Sequence, residues 1–185
     1  MNKALLLVDL QNDYFPGGAM ELNGMDAAAA QAARLLGACR ALHWPIFHVQ
    51  HLARRPGAAF FLPGTPGAEI NPAVKPLPGE TILTKHFPNS FRDTGLTALL
   101  KAAGVEELVI AGAMSHMCID ATTRAATDLG FRGTVIHDAC AARDLSFAGA
   151  VIPAAQVHGA FMAALTPLYA RVVALAEFLS SPFTG

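Results

Sequence analysis

Ala4-Leu5-Leu6-Leu7-Val8-Asp9 is an unbroken apolar run that stops abruptly at a carboxylate. A strand with one wet face alternates apolar and polar residues, so a run without alternation predicts a strand covered on both faces. The chain on either side of this run follows the same pattern. Residues 25–42 space Leu35, Leu36, Cys39 and Leu42 at helical intervals, and Trp44-Pro45 ends them. Further strands are predicted over 45–49, 81–84, 107–111, 134–137 and 172–175, with helices over 94–103 and 117–129. The stretch 147–165 reads as mainly helical, broken near Pro153, and a helical turn follows the last strand. Six strands alternating with helices predict an α/β fold: three layers, α/β/α, around a six-stranded, mainly parallel sheet of Rossmann-like topology.

The 185 residues suit one domain spanning 1–185, and 53% hydrophobic content excludes disorder. A formal net charge of −1 leaves no electrostatic footprint for nucleic acid or an anionic membrane. No apolar run reaches the roughly 18 residues of a membrane span. Asp9 arrives too early for a signal-peptide core, and three scattered cysteines (Cys39, Cys118, Cys140) make no disulfide framework. A cytoplasmic protein is expected. Residues 52–79 carry six prolines around Phe60-Phe61, a long Pro/Gly-rich loop of the kind that serves as a lid or a partner surface. An exposed aromatic pair would need cover, which predicts a homo-oligomer, at least a dimer.

In open parallel sheets, ligands bind beyond the carboxyl ends of the strands. Asp9 closes the first strand, Lys85 the third, and Cys118 follows the fourth by a short turn. Taken singly, each has an ordinary reading: a turn cap, a solvated lysine, a small buried hydrophobe. Together they make chemical sense. A thiol is mostly protonated at neutral pH, and the thiolate is the nucleophile. An ammonium and a helix N-terminus stabilise that anion, while a carboxylate can take the thiol proton and return it to a leaving amine.

Three blocks, Asp9-Leu10-Gln11-Asn12-Asp13-Tyr14-Phe15, Lys85-His86-Phe87-Pro88-Asn89-Ser90-Phe91 and Gly112-Ala113-Met114-Ser115-His116-Met117-Cys118-Ile119, resemble the isochorismatase-like cysteine hydrolases, and Asp138-Ala139-Cys140-Ala141-Ala142-Arg143-Asp144 fits the same pattern. The resemblance runs from the first strand to about Leu179. It implies an Asp9-Lys85-Cys118 triad in which Cys118 forms a thioester, Asp9 shuttles the proton, and Lys85 holds Asp9 and favours the thiolate. It also implies a cis peptide at Ala113–Met114 and an oxyanion hole made by the backbone N–H groups of Met114 and Cys118. Tyr14 corresponds to a pocket-lining aromatic, Phe91 to a pocket wall or a core ring, and His116 lies where it can touch substrate. Gln11 and Asn12 are expected to support the Asp9 turn.

Nicotinamidases in this superfamily carry an Asp-x-His metal set after the second strand. This chain has His48-Val49-Gln50-His51 there, without the aspartate. Residues three apart on a strand point to opposite faces, so the pair is poorly placed to share an ion. No metal and no cofactor are expected, and His48 and His51 are read as hydrogen-bonded strand-end histidines. Roles for His86 and His158 stay open. A cysteine nucleophile suits acyl transfer, so the expected reaction is cleavage of an amide, lactam or carbamoyl-type carbon–nitrogen bond in a small molecule. Arg54, Arg55 or Arg92 are candidates for binding an acidic substrate. Two alternatives remain: isochorismatase-type vinyl-ether hydrolysis, and a catalytically silent binding or assembly module, against which the intact Asp9, Lys85 and Cys118 count.

Overall fold

The computed structural model describes residues 2–180. Its strands are β1 (Lys3–Val8), β2 (Ile46–His51), β3 (Thr81–Lys85), β4 (Glu107–Ala113), β5 (Arg132–Ala141), β6 (Leu145–Phe147), β7 (Ala150–Ile152) and β8 (Arg171–Val173). The helices are α1 (Met25–Ala41), α2 (Leu96–Ala102), α3 (Asp120–Asp128), α4 (Ala154–Leu165) and α5 (Leu175–Ser180). Six strands form one sheet in the order β3-β2-β1-β4-β5-β8, every pair parallel. The order reverses direction between β1 and β4, the switch point of a doubly wound fold.

The apolar run that opens the chain is buried because the sheet has two covered faces. Leu5 and Leu7 point into a core built with Leu35 and Leu36 of α1 and Phe178 of α5. Ala4, Leu6 and Val8 point the other way, toward Leu100 of α2, Ala126 of α3 and Leu165 of α4. The sheet is thus the middle of three layers. Gly112 lets β4 lie close beside β1: at φ 130°, a Cβ there would collide with the carbonyl oxygen of Val8.

Three expectations are corrected. Residues 147–152 are not helical. β6 and β7 pair as an antiparallel hairpin, with Ala148 and Gly149 at φ 51° and 81° in the turn. Two successive positive φ values are what a tight hairpin turn requires, and α4 begins only after Pro153. β5 also runs four residues past the expected His137, because Cys140 and Ala141 pair with Gly112 and Ala113 of β4 beyond a register shift. Lastly, the Phe60-Phe61 pair is covered within the chain. Phe61 is buried, and its ring lies 4.5 Å from Tyr14 and 5.0 Å from Phe60. Asp13 anchors this part of the loop by accepting the Phe61 N–H at 2.6 Å. The loop still exposes Leu62 and Leu77, but the most exposed large apolar side chains are Phe147 and Val151 of the hairpin and Leu168.

Candidate active site

Asp9 follows the end of β1 with φ 53°, a left-handed conformation that aspartate tolerates better than most residues. Its backbone N–H donates to the Val49 carbonyl at 2.9 Å, so the turn is tied to β2. Lys85 ends β3 and Cys118 sits in the π turn Ser115–Ile119 that joins β4 to α3. Strand order brings these ends together at the switch point.

Lys85 is the centre of the arrangement. Its Nζ lies 2.7 Å from Asp9 Oδ2 in an ion pair whose two side chains are both 0% exposed. The same nitrogen donates toward Cys118 Sγ at 3.2 Å and the Phe87 carbonyl at 3.1 Å, and lies 3.0 Å from His51 Nδ1. Both Asp9 oxygens are buried without a hydrogen-bond partner among the described residues, and of the two it is Oδ2 that has the Lys85 ammonium as its ion-pair partner. Burial pushes the Cys118 thiol up, the Asp9 charge pushes it further, and Lys85 opposes both. Burial alone would pull the Lys85 ammonium down, but the charge of Asp9 and the contact with Cys118 carry it above its ordinary value. These influences favour a protonated thiol beside an ammonium, with the Asp9 carboxylate on the same ammonium.

The Ala113–Met114 peptide is cis, and the Met114 carbonyl accepts from the N–H groups of Met117 and Ile119, stitching the turn that carries Cys118. Tyr14 is buried against Phe61, and burial first, then the charges of Cys118 and Asp9, hold its hydroxyl well above the ordinary range. Phe91 stacks on Phe131 at 6.1 Å beside the core cluster that includes Cys118. His116 is buried, its ring 6.0 Å from Phe161, with Nδ1 unbonded among the described residues. Of the expected oxyanion donors, Met114 directly precedes the turn and Cys118 lies within it.

The histidine pair divides as its spacing predicts. His48 Nε2 meets Glu80 at 2.9 Å, whereas His51 meets Lys85. The donor atoms of Asp9, His51 and Cys118 do lie within 4.8 Å of one another, close enough for a cation. The Lys85 ammonium contacts all three, so this chain supplies its own positive charge there. His86 Nδ1 bonds the Leu52 carbonyl, and His158 Nδ1 bonds Ser115 Oγ at 2.8 Å. Of the arginine candidates, Arg92 stacks over Phe87 and Arg54 and Arg55 are exposed. Sequence reasoning passed over Arg143, which sits just past β5 and whose charge acts on both Tyr14 and His116. It also missed His51 as a contact of Lys85. The in-register pairing of His51 with Lys85 across β2 and β3 accounts for that contact, and spacing within one strand cannot reveal it.

Residues 3–176 match the family model described as the isochorismatase domain. An uncharacterized isochorismatase family protein of Bacillus subtilis, YddQ, is 49% identical over 97% of this chain and 99% of its own length. A maleamate amidohydrolase of Pseudomonas putida is 33% identical, covering 73% of this chain and 70% of that protein. Among solved structures, an isochorismatase-type hydrolase from Oleispira antarctica superposes with a TM-score of 0.94 at 51% identity, over 97% of each chain.

Proposed function

The chain belongs to the isochorismatase family, and from that premise we propose that it is a cysteine hydrolase cleaving a carbon–nitrogen bond of a small molecule through a thioester on Cys118. The observation that carries this reading is the dry cluster in which one ammonium touches both a thiol and a carboxylate whose second oxygen is free. A silent binding module has no physical need to bury that combination, because an isolated buried ion pair costs several kcal/mol of desolvation per ion. A relative named for amide hydrolysis supports the same class of bond.

The steps balance with these residues alone. Asp9 takes the Cys118 proton as Sγ attacks the carbonyl carbon, and the carbonyl oxygen becomes an oxyanion facing the N–H groups of Met114 and Cys118. Lys85 stays an ammonium and offsets the charge as it leaves the carboxylate and passes through the sulfur to the oxyanion. Collapse of the adduct breaks the carbon–nitrogen bond, and Asp9 passes its proton to the leaving nitrogen. Water then gives a proton to Asp9 and attacks the thioester; the carbon–sulfur bond breaks and the proton returns to Cys118.

Intact-mass spectrometry of quenched reactions with a panel of amides, lactams and ureido compounds tests this reading. An acyl adduct on Cys118, absent in Cys118→Ala together with turnover, is the expected result. Wild-type turnover by Cys118→Ala would instead favour vinyl-ether hydrolysis, to be sought with isochorismate. We also propose self-association, supported by the exposed Phe147 and Val151 rather than by the covered Phe60-Phe61 pair. Sedimentation giving a monomer at micromolar concentration would refute it. Among the described residues, no helix is long and apolar enough to cross a membrane.

A further inference from the structure

We infer that His51 is a positioning residue of this site, holding the Lys85 ammonium in place while negative charge passes from Asp9 to Cys118; the inference rests on the nucleophile assigned to Cys118 above. An ammonium has three protons and can only donate. Lys85 has four acceptors within reach: Asp9 at 2.7 Å, His51 at 3.0 Å, the Phe87 carbonyl at 3.1 Å and Cys118 at 3.2 Å. Two of these exchange charge during the reaction. The other two, His51 and the Phe87 carbonyl, stay neutral throughout and fix the point about which the ammonium turns from carboxylate to sulfur.

His51 is suited to that task. Burial, and then the neighbouring Lys85 charge, pull its imidazole down to about 4, against the opposing pull of Asp9. The ring is therefore neutral at neutral pH. Because its partner can only donate, Nδ1 is the acceptor and the ring proton lies on Nε2. The titratable groups that bear on it are Lys85 and His86 at the end of β3 and Asp9 beyond β1.

Its placement is specified from two sides. Gln11, wholly buried, accepts the His51 N–H with Oε1 at 2.7 Å and donates from Nε2 to the His51 carbonyl at 2.9 Å. The same Nε2 reaches the Ala68 carbonyl at 2.7 Å, which locks the long loop to this point. On the ring side Phe61 lies 5.9 Å away, itself held by Asp13. Gln11, expected to support the Asp9 turn, thus holds residue 51 by its backbone, and Asp13 holds the Phe61 that flanks its ring.

The test compares His51→Ala and His51→Gln with His51→Asn, whose side-chain oxygen sits about where Nδ1 does. The probe is iodoacetamide, and labelling of Cys118 is followed by mass spectrometry from pH 5 to 10, with Cys39 and Cys140 as internal references. Loss of one hydrogen bond to a charged group predicts that His51→Ala labels about tenfold more slowly at pH 7, with its profile displaced to higher pH. The kcat should fall in parallel with KM little changed. His51→Asn should recover most of the rate and His51→Gln should not, which keeps the comparison valid even where the alanine variant folds poorly. Wild-type labelling rates and profiles in both His51→Gln and His51→Ala would overturn the inference alone. Labelling of wild-type Cys118 no faster than Cys39 and Cys140 would overturn it together with the assigned nucleophile.

Discussion

At one end of β1, Lys3 faces Glu107 of β4 across 3.5 Å; just past the other end, Asp9 faces Lys85 of β3 across 2.7 Å. Both are lysine–carboxylate pairs at strand ends of one sheet, the first between the adjacent β1 and β4 and the second spanning β2 from β1 to β3, and their surroundings differ. The first pair is 20% and 12% exposed, and it borders an open hollow lined by Phe131, Arg132, Thr134 and Arg171. Water and salt screen such charges, and among the described residues that line the hollow there is no thiol. The second pair is fully buried, and a thiol lies 3.2 Å from its lysine. A charge in a dry site acts on its neighbours several times more strongly than one in water. One sheet thus carries the same residue types at both edges: at the carboxyl ends of its strands the pair is dry and lies beside a thiol, and at the other end it is partly exposed.

The largest effects should come from the dry edge. Asp9→Asn keeps the size of the side chain and removes the proton acceptor, so amide turnover should fall by about 10²–10⁴-fold, the usual worth of general acid–base catalysis. Steady-state kinetics on an amide accepted by the wild type measures this. Turnover within a few-fold of wild type would mean that the free carboxylate oxygen has no chemical role. Lys85→Met preserves much of the side-chain volume but strands a buried carboxylate. Urea denaturation should show a loss of about 3–5 kcal/mol, the cost of breaking a buried pair. The Cys118 thiol should become still harder to ionise, because the group opposing burial and Asp9 is gone. Alkylation at neutral pH would read that as slower labelling.

How far the site could be read in advance follows from which signals are local. The apolar run before Asp9 announced a strand covered on both sides, and strand ends announced Asp9, Lys85 and Cys118, because these features lie within a few residues of one another. The hairpin at β6 and β7 escaped because its turn is Ala148-Gly149, without the Asn-Gly or Asp-Gly pair that usually marks one. β5 looked short because Asp138 interrupts it; its carboxylate in fact accepts the Leu175 N–H and ties the strand to α5. The Phe60-Phe61 pair looked exposed because Tyr14, its cover, belongs to a different turn. His51 and Arg143 depend on strand register and on where β5 ends, neither of which a single strand's pattern contains.

Glu80, just before β3, offers a structural counterpart away from the reactive cluster. It accepts from Arg40 of α1 at 2.7 and 2.9 Å, meets His48 and accepts the Leu77 N–H. The Arg40 hydrogen bonds, helped by Leu77 and His48 and opposed by burial, pull its carboxyl down to about 2. A carboxyl lowered on folding stabilises the protein above its unfolded value, and that contribution is lost as pH falls through the folded one. The window thus runs from about 4.5 down to about 2. Glu80→Gln should lower stability at pH 7 by about 2 kcal/mol, the scale of hydrogen bonds to charged groups, and leave turnover nearly unchanged. Its stability should also fall less steeply than the wild type's between pH 4.5 and 2. Parallel acid-unfolding curves would remove Glu80 as the anchor of α1 and β2.

The smallest effect is expected at Lys3, where the comparison is tested most directly. Its partner Glu107 already accepts the Thr134 hydroxyl at 2.9 Å, so losing the lysine does not leave that carboxylate bare. The ammonium also lies 5.8 Å from the centre of the Trp44 ring, a contact that is weak where water still reaches the cation. Partly exposed ion pairs contribute about 0–1 kcal/mol, because screening and side-chain entropy offset most of the attraction. Lys3→Ala should therefore cost about 0.5 kcal/mol in urea denaturation, less so in high salt, with kcat and KM unchanged. Lys85→Met and Lys3→Ala measured side by side separate the two edges: the same charge is removed from a carboxylate partner at opposite ends of one sheet, once in a dry cluster beside a thiol and once where water reaches it. A loss of turnover in Lys3→Ala comparable to that in Lys85→Met would mean that the field of the whole sheet, rather than contact within the dry cluster, governs Cys118.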